Sequence, residues 1–364
     1  MTKISDDLSA LEALNSESSE DQLLVENSTE EELFEHFRFI ADNGQVLIRI
    51  DKFLIDRIPN VSRSRIQAMA KSGNIRVNGK IVKSNFRVRK KDEISVVLPF
   101  PIRELKVVPE NMPLDIVYED ASVAIVNKPS SMVVHPGFGN YTGTLLNGIV
   151  YHFESLPQSK DYYGRPGLVH RLDKHTTGLL VVAKTELALT HLARQFFERT
   201  SERRYMALVW GDVINNEGTI TGSIGRSKKD RKVFQVFLDN EEYGKHAVTH
   251  YKVIERFGYV TLVECKLETG RTHQIRVHFR HIGHPLFNDQ EYGGTKIIKG
   301  TTFSKYKQFI DNCFKLIPGQ ALHARSLGFI HPETGQKMHF EVDPPAGFLK
   351  LLEKWRGYRE TLSV

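Results

Sequence analysis

The stretch His170-Arg171-Leu172-Asp173-Lys174 places one carboxylate among three basic side chains, just before the apolar run Gly178-Leu179-Leu180-Val181-Val182. Neighbouring cations favour the charged form of an acid, so Asp173 is expected to stay ionised. An ionised carboxylate can act as a nucleophile toward a sugar carbon or an activated ring. By local pattern alone, an Asp at the mouth of a strand is more often a turn or cap residue. A second cluster, Thr269-Gly270-Arg271-Thr272-His273-Gln274-Ile275-Arg276-Val277-His278, offers it partners. Read as a strand, this cluster puts Gln274, Arg276 and His278 on one face. Buried charge on such a face needs a counter-ion. Asp173 is the natural one for Arg276, because a planar guanidinium can hold a carboxylate in two parallel bonds. In a third cluster, Arg203-Arg204-Tyr205-Met206-Ala207, Tyr205 opens a strand with both a ring face and a hydroxyl. Such a side chain can stack on an extruded base and exchange a proton. No Gly-rich phosphate cradle is visible, and no histidine pair sits at helical spacing beside an acidic third ligand. Neither a nucleotide cofactor nor a metal is expected.

Positioning these groups takes a domain, and residues 114–358 read as one. Strands are expected over 115–118, 123–127, 178–183, 205–210, 249–254 and 258–266, with an apolar-periodic helix over 187–197. Gln320–Ala324 and His331-Pro332 read as sheet and turn. Short strands with few intervening helices indicate an α+β fold on a mixed, largely antiparallel sheet.

Residues 46–98 read as a separate small α/β unit. Ile50, Phe53, Leu54 and Ile58 recur at helical spacing over 49–58. Ser62 is a good N-cap for a second helix carrying Ile66, Met69 and Ala70, and Gly73 ends it. Asn78-Gly79 between 75–77 and 80–82 signals a tight hairpin, and 93–98 closes the unit as a strand. Arg63, Arg65, Lys71, Arg76, Asn78 and Lys80 gather on helix starts and turns, which suits phosphate contacts. The Pro-punctuated 99–113 reads as a linker.

Over the whole chain, 40% of residues are hydrophobic, yet no apolar run is long enough for a membrane span. With only two cysteines and no secretory pattern, a reducing, cytoplasmic setting is expected. The net charge of +6 conceals an asymmetry: residues 1–35 hold eleven Asp/Glu against one Lys, so the rest is strongly basic. That tail is too polar to order itself, and the basic body points to a polyanionic partner.

Taken in order, Asn127-Lys128-Pro129, His170-Arg171-Leu172-Asp173, Arg204-Tyr205-x-Ala207, Gly270–Arg276 and Leu322-His323-Ala324 resemble the RluA-type pseudouridine synthases. Val133–Gly137 and Gly143–Asn147 are similar to the RluD-like branch of that family. The unit at 46–98 resembles the S4 RNA-binding domain through Arg49–Leu54, Ser62–Arg65 and Val77–Lys80. The resemblance implies isomerisation of uridine to pseudouridine in structured RNA, large-subunit ribosomal RNA for that branch, without a cofactor. It further implies Asp173 as the nucleophile, Tyr205 packed on the flipped base, Arg276 orienting Asp173, and Arg171 filling the gap the base leaves. Departures from the family pattern are His175 for Asp, Arg203 for Lys, Phe287-Asn288-Asp289 for a Gly-Asp pattern, and the segment 295–318. From the residues alone, a nucleoside glycosidase and a non-catalytic RNA-binding or ribosome-assembly factor remain alternatives.

Overall fold

The computed structural model describes residues 33–58, 61, 63–98, 107–137, 139–158, 165–227, 230, 233–237 and 244–362. The acidic tail as far as residue 32, the Ser62 cap and linker residues 99–106 lie outside the described residues. The chain divides into two compact units, Met1–Lys106 with Gly137–Tyr141, and Val107–Pro136 with Thr142–Val364.

In the first unit the described elements are β1 (Phe34–Ile40), β2 (Ile48–Arg49), α1 (Ile50–Ile55), α2 (Arg63–Lys71), β3 (Ile75–Val77), β4 (Lys80–Ile81), β5 (Arg87–Val88) and β6 (Glu93–Leu98). One sheet runs β1-β6-β3-β4, and β2 pairs with β5. Ile50, Phe53 and Leu54 of α1 meet Ile66, Ile75 and Val96 in a dry core. Asn78 (φ 49°) and Gly79 (φ 78°) both take the left-handed conformation that a tight hairpin requires. The unit begins earlier than the expected residue 46. β1 pairs antiparallel with β6, and Phe37 and Phe39 pack on the core. Its charged residues alternate with the aromatics, so its first residues read as part of the acidic tail. Helix α1 ends at Ile55, short of 58, although Ile58 stays buried.

The second unit carries β7 (Ile116–Glu119), β8 (Val123–Lys128), α3 (Leu145–His152), β9 (Thr177–Ala183), α4 (Glu186–Glu198), β10 (Glu202–Trp210), β11 (Glu217–Arg226), β12 (Phe234–Phe237), β13 (Lys245–Arg256), β14 (Val260–Leu267), α5 (Gln274–His281), α6 (Ser304–Phe314), β15 (Leu322–Ile330), β16 (Lys337–Glu341) and α7 (Ala346–Leu362). Its sheet runs β12-β11-β13-β14-β10-β15-β9-β8-β7, with β16 on β15. The pairings are antiparallel except β15–β9, which is parallel. The sheet is therefore mixed and mainly antiparallel, as the strand pattern predicts.

Strand β10 shows why these sequences are apolar nearly throughout. Ala207 and Val209 face one core with Leu180, Val182 and Val263. Met206, Leu208 and Trp210 face another, with Tyr306 and Ile310 of α6 and Leu351 and Trp355 of α7. Alternate residues point to opposite faces, and both faces are covered. Helix α6 lies within the segment 295–318. The end of the expected linker is docked: Asn147 Nδ2 donates to the Val108 carbonyl and the Glu110 N–H to the Asn147 carbonyl.

Candidate active site

Asp173 sits in the turn entering β9, and its side chain is 18% exposed. That turn is held from below by Lys128, which is fully buried at the end of β8. Its ammonium donates to the carbonyls of Pro129, Met132 and Lys174. Burial pushes the Lys128 amine down to about 7, while the Asp173 charge pulls it up. His170 is not free for chemistry. Its Nε2 accepts the Val181 N–H at 3.0 Å, and its ring stacks on Phe196. Burial drives its imidazole down to about 3, so it is neutral at pH 7.

The segment bearing Arg276 departs from the expected strand. Gln274–His281 is helix α5, entered through His273 in the left-handed conformation (φ 54°). The alternation of Ile275, Val277 and Phe279 with polar residues imitates a strand because Gln274, Arg276 and His278 are buried as well. Residues 274–279 are buried on every side, so Gln274 and Arg276 are satisfied by protein partners rather than by water. Gln274 illustrates this. Its Oε1 accepts from Thr269 Oγ1 and the Arg271 N–H, and its Nε2 donates to the Val248 carbonyl and Thr249 Oγ1. The full hydrogen-bonding capacity of one side chain thus fixes the 269–274 loop.

Arg276 does meet Asp173, through a single bond of 3.2 Å from Nη1 to Oδ2. The expected two-bond fork goes elsewhere. Nε and Nη2 hold Asp289 at 2.8 and 2.9 Å, and Nη2 also meets Glu291. Asp289 is fully buried, and it accepts the Glu291 and Tyr292 N–H groups too. Sequence reasoning passed over Asp289 and Glu291 because 13 and 15 residues separate them from Arg276. The signal was present in Asn288-Asp289. Asn288 takes φ 61°, a conformation that glycine or asparagine tolerates, and so turns Asp289 inward.

The carboxylate of Asp173 faces opposing influences. Burial raises its pKa; His273, Arg276 and Arg171 lower it, and the balance lies below the ordinary Asp value. His273 Nε2 lies 3.9 Å from Oδ1. Burial holds the His273 imidazole below its usual range despite the Asp173 charge, so at neutral pH the permanent arginine charges do most of this work. Asp173 is ionised and oriented.

A pocket of about 400 Å³ opens over this carboxylate, bounded by the Asp173 turn, the 269–276 segment, β10 and the end of α4. Tyr205 lines it while only 8% exposed. Burial raises its phenol above the usual value, so the hydroxyl stays protonated. Arg171 is exposed at the same pocket. The structure thus brings Asp173, Tyr205, Arg276 and Arg171 together. In the first unit, Arg63, Lys71 and Lys80 are exposed, while the Arg65 side chain lies outside the described residues. Arg63 is shared with the buried Asp51, which also accepts from Arg49 and Gln67. Asn78 spends its amide locally, donating to Asp92 and accepting the Glu93 N–H, so it shapes the hairpin.

The sequence model described as RNA pseudouridylate synthase matches residues 122–281, and the S4 domain model matches residues 48–94. The uncharacterized RNA pseudouridine synthase of Bacillus subtilis strain 168 is 46% identical over 316 residues, covering 87% of this chain and 97% of that protein. The ribosomal large subunit pseudouridine synthase D of Neisseria meningitidis serogroup B is 43% identical over 308 residues, 85% of this chain and 79% of that one. The solved structure of human RNA pseudouridylate synthase domain containing 1 is 27% identical, covers 64% of this chain and 84% of its own, and superposes with a TM-score of 0.48. This chain, so similar to the two bacterial synthases over most of its length and carrying an ionised, arginine-held aspartate beside a buried tyrosine, belongs to the RNA pseudouridine synthase family, with an S4 domain ahead of its catalytic unit.

Proposed function

We propose that this protein isomerises specific uridines to pseudouridine in large-subunit ribosomal RNA, with Asp173 as the nucleophile. The observation that carries the reading is the Asp173 carboxylate, ionised against Arg276 in a pocket walled by Tyr205. The target uridine leaves its stack and enters the pocket, where Tyr205 packs on the base. Extrusion costs a few kcal/mol, which the RNA contacts must offset. The N1–C1′ bond breaks, uracil turns within the pocket, and C5 bonds to C1′. C5 gives up its proton, N1 gains one, and nothing else is consumed. Two openings are compatible with an ionised Asp173: attack on C1′, or removal of the C2′ proton to give a glycal. Deuterium at C2′ slows the second and leaves the first nearly unchanged.

The ribosomal substrate is supported by the 43% identity to a protein named as a large-subunit synthase. The glycosidase alternative needs a second carboxyl that stays protonated to act as the acid. The nearby acids, Asp289 and Glu291, are both ion-paired to Arg276. Incubation with large-subunit ribosomal RNA tritiated at uridine C5 tests the reading. Wild-type protein is expected to release tritium to water, and Asp173→Ala is expected to release none. Free uracil in place of pseudouridine would overturn the isomerase reading. Release by Asp173→Ala would overturn the nucleophile.

A further inference from the structure

Along β10, alternate residues share a face, so Arg203 lies two positions from Tyr205 on the pocket side. Arg203 is only 8% exposed. Its Nε is buried with no hydrogen-bond partner, and the side chain makes no ion pair among the described residues. The guanidinium instead stands 5.2 Å from the Phe196 ring centre, and its Nη1 abuts Gly270, where even a Cβ would approach to 3.0 Å. Arginine does not give up its proton. A buried, permanently charged fork without a counter-ion is unfavourable unless something arriving supplies one.

The same pocket has a second unassigned edge at the end of α4. Phe197 lines it and is 87% exposed. Arg199, in the left-handed conformation at φ 64°, lines it too and makes no ion pair among the described residues. An exposed aromatic ring alone is ordinary. An exposed ring beside two cations, one of them buried and unpaired, has the chemistry of a single-stranded nucleotide site, where a base stacks and a phosphate is gripped.

We propose that the pocket holds a second nucleotide, adjacent to the target uridine. Its phosphodiester sits in the Arg203 fork, with Arg199 as a second cation, and its base stacks on Phe197. This rests on the reading of the pocket as the uridine site. Arg203 is here a substrate-binding residue and takes no chemical step. A guanidinium can grip a phosphate through two parallel bonds, where an ammonium offers only a point charge.

The test uses the full chain and a stem-loop RNA with one C5-tritiated target uridine, read by equilibrium binding and by single-turnover tritium release. In parallel RNAs, the phosphates flanking the target are replaced one at a time by neutral methylphosphonate. Arg203→Gln is expected to weaken binding about tenfold and to lower the salt slope by about 0.7–0.9, one phosphate contact. Arg203→Lys should restore the slope but only part of the affinity. One methylphosphonate position should weaken wild type about tenfold and Arg203→Gln hardly at all. Phe197→Ser, at an exposed position that folding does not need, should weaken binding several-fold, and an abasic neighbour should erase that difference. Penalties that simply add, with an unchanged salt slope, would overturn the site. Coupling without tritium release would keep the site and sink the isomerase reading; release without coupling would do the reverse.

Discussion

At the residue scale, the site depends on one guanidinium serving three carboxylates. Arg276 is buried, holds Asp289 and Glu291, and lends its remaining nitrogen to Asp173. Its ring partner is Tyr292, 4.8 Å from Cζ to the ring centre. Because Asp173 titrates below the usual Asp value of about 3.9, activity should be present above that low pKa and be lost only as pH falls through it. Arg276→Met removes one permanent opposing charge and its hydrogen bond, leaving His273 and Arg171 against burial. The acidic limb of the single-turnover rate should then move up by about one to three pH units. Arg276→Lys keeps the charge but not the fork, so its limb should stay low while its rate falls. A limb that is the same in all three proteins would show that Arg276 does not set the ionisation of Asp173.

At the element scale, the critical junction is the parallel contact between β9 and β15, where Ala324 pairs with Gly178 and His323 with Thr177. This contact joins the antiparallel pair of β8 and β9, with the Asp173 turn at the entrance of β9, to the strand β15 that pairs with β10, which carries Tyr205. The approach is so close that a Cβ on Gly178 would lie 2.2 Å from the Ala324 carbonyl oxygen, and the residue itself sits at φ 111°. His323 secures the same junction through Thr177 Oγ1 at 2.8 Å and the Val342 carbonyl. Gly178→Ala adds backbone strain and overpacking, each on the order of 1–3 kcal/mol. Urea unfolding of the catalytic unit should shift accordingly, and activity should fall even where the protein stays folded, because the Asp173 turn moves relative to Arg276. Wild-type stability in that variant would mean the junction is slack.

At the scale of the whole molecule, two kinds of RNA contact are combined in one chain. The S4 unit offers exposed cations on short helices and a hairpin, with Asp51 orienting Arg63 from the core. The catalytic unit offers a pocket lined by several arginines around the Asp173 carboxylate. Cations on phosphates give affinity that falls with salt, at about 0.7–0.9 in log–log slope per contact. Lys71→Glu combined with Lys80→Glu should therefore raise the RNA concentration for half-maximal rate about tenfold or more, and flatten the salt slope by about 1.5. Titrating the rate against RNA at several salt concentrations reads both quantities. An unchanged slope would show that these lysines do not contact phosphate. Among the described residues, no helix is long and apolar enough to cross a membrane.

The sequence by itself determined what depends on short range. The Asn78-Gly79 hairpin, the strands at 123–128 and 177–183, the helix at 186–198 and the clustering of Asp173 with basic neighbours are all local, and their residue types allow little else. The order of the motifs along the chain also carries the resemblance to the family. Only the tertiary structure decided the state of Gln274–His281, because its apolar alternation fits a strand and a doubly buried helix alike, and burial on both sides selected the helix. It alone assigned the guanidinium fork to Asp289, since a bond between residues 13 apart around a left-handed turn leaves no periodic trace. It alone left Arg203, in a wall of the pocket, without an ion-pair partner among the described residues. Charge and periodicity are written along the chain, whereas which charges remain unpaired is settled only when strands distant in sequence close over one another.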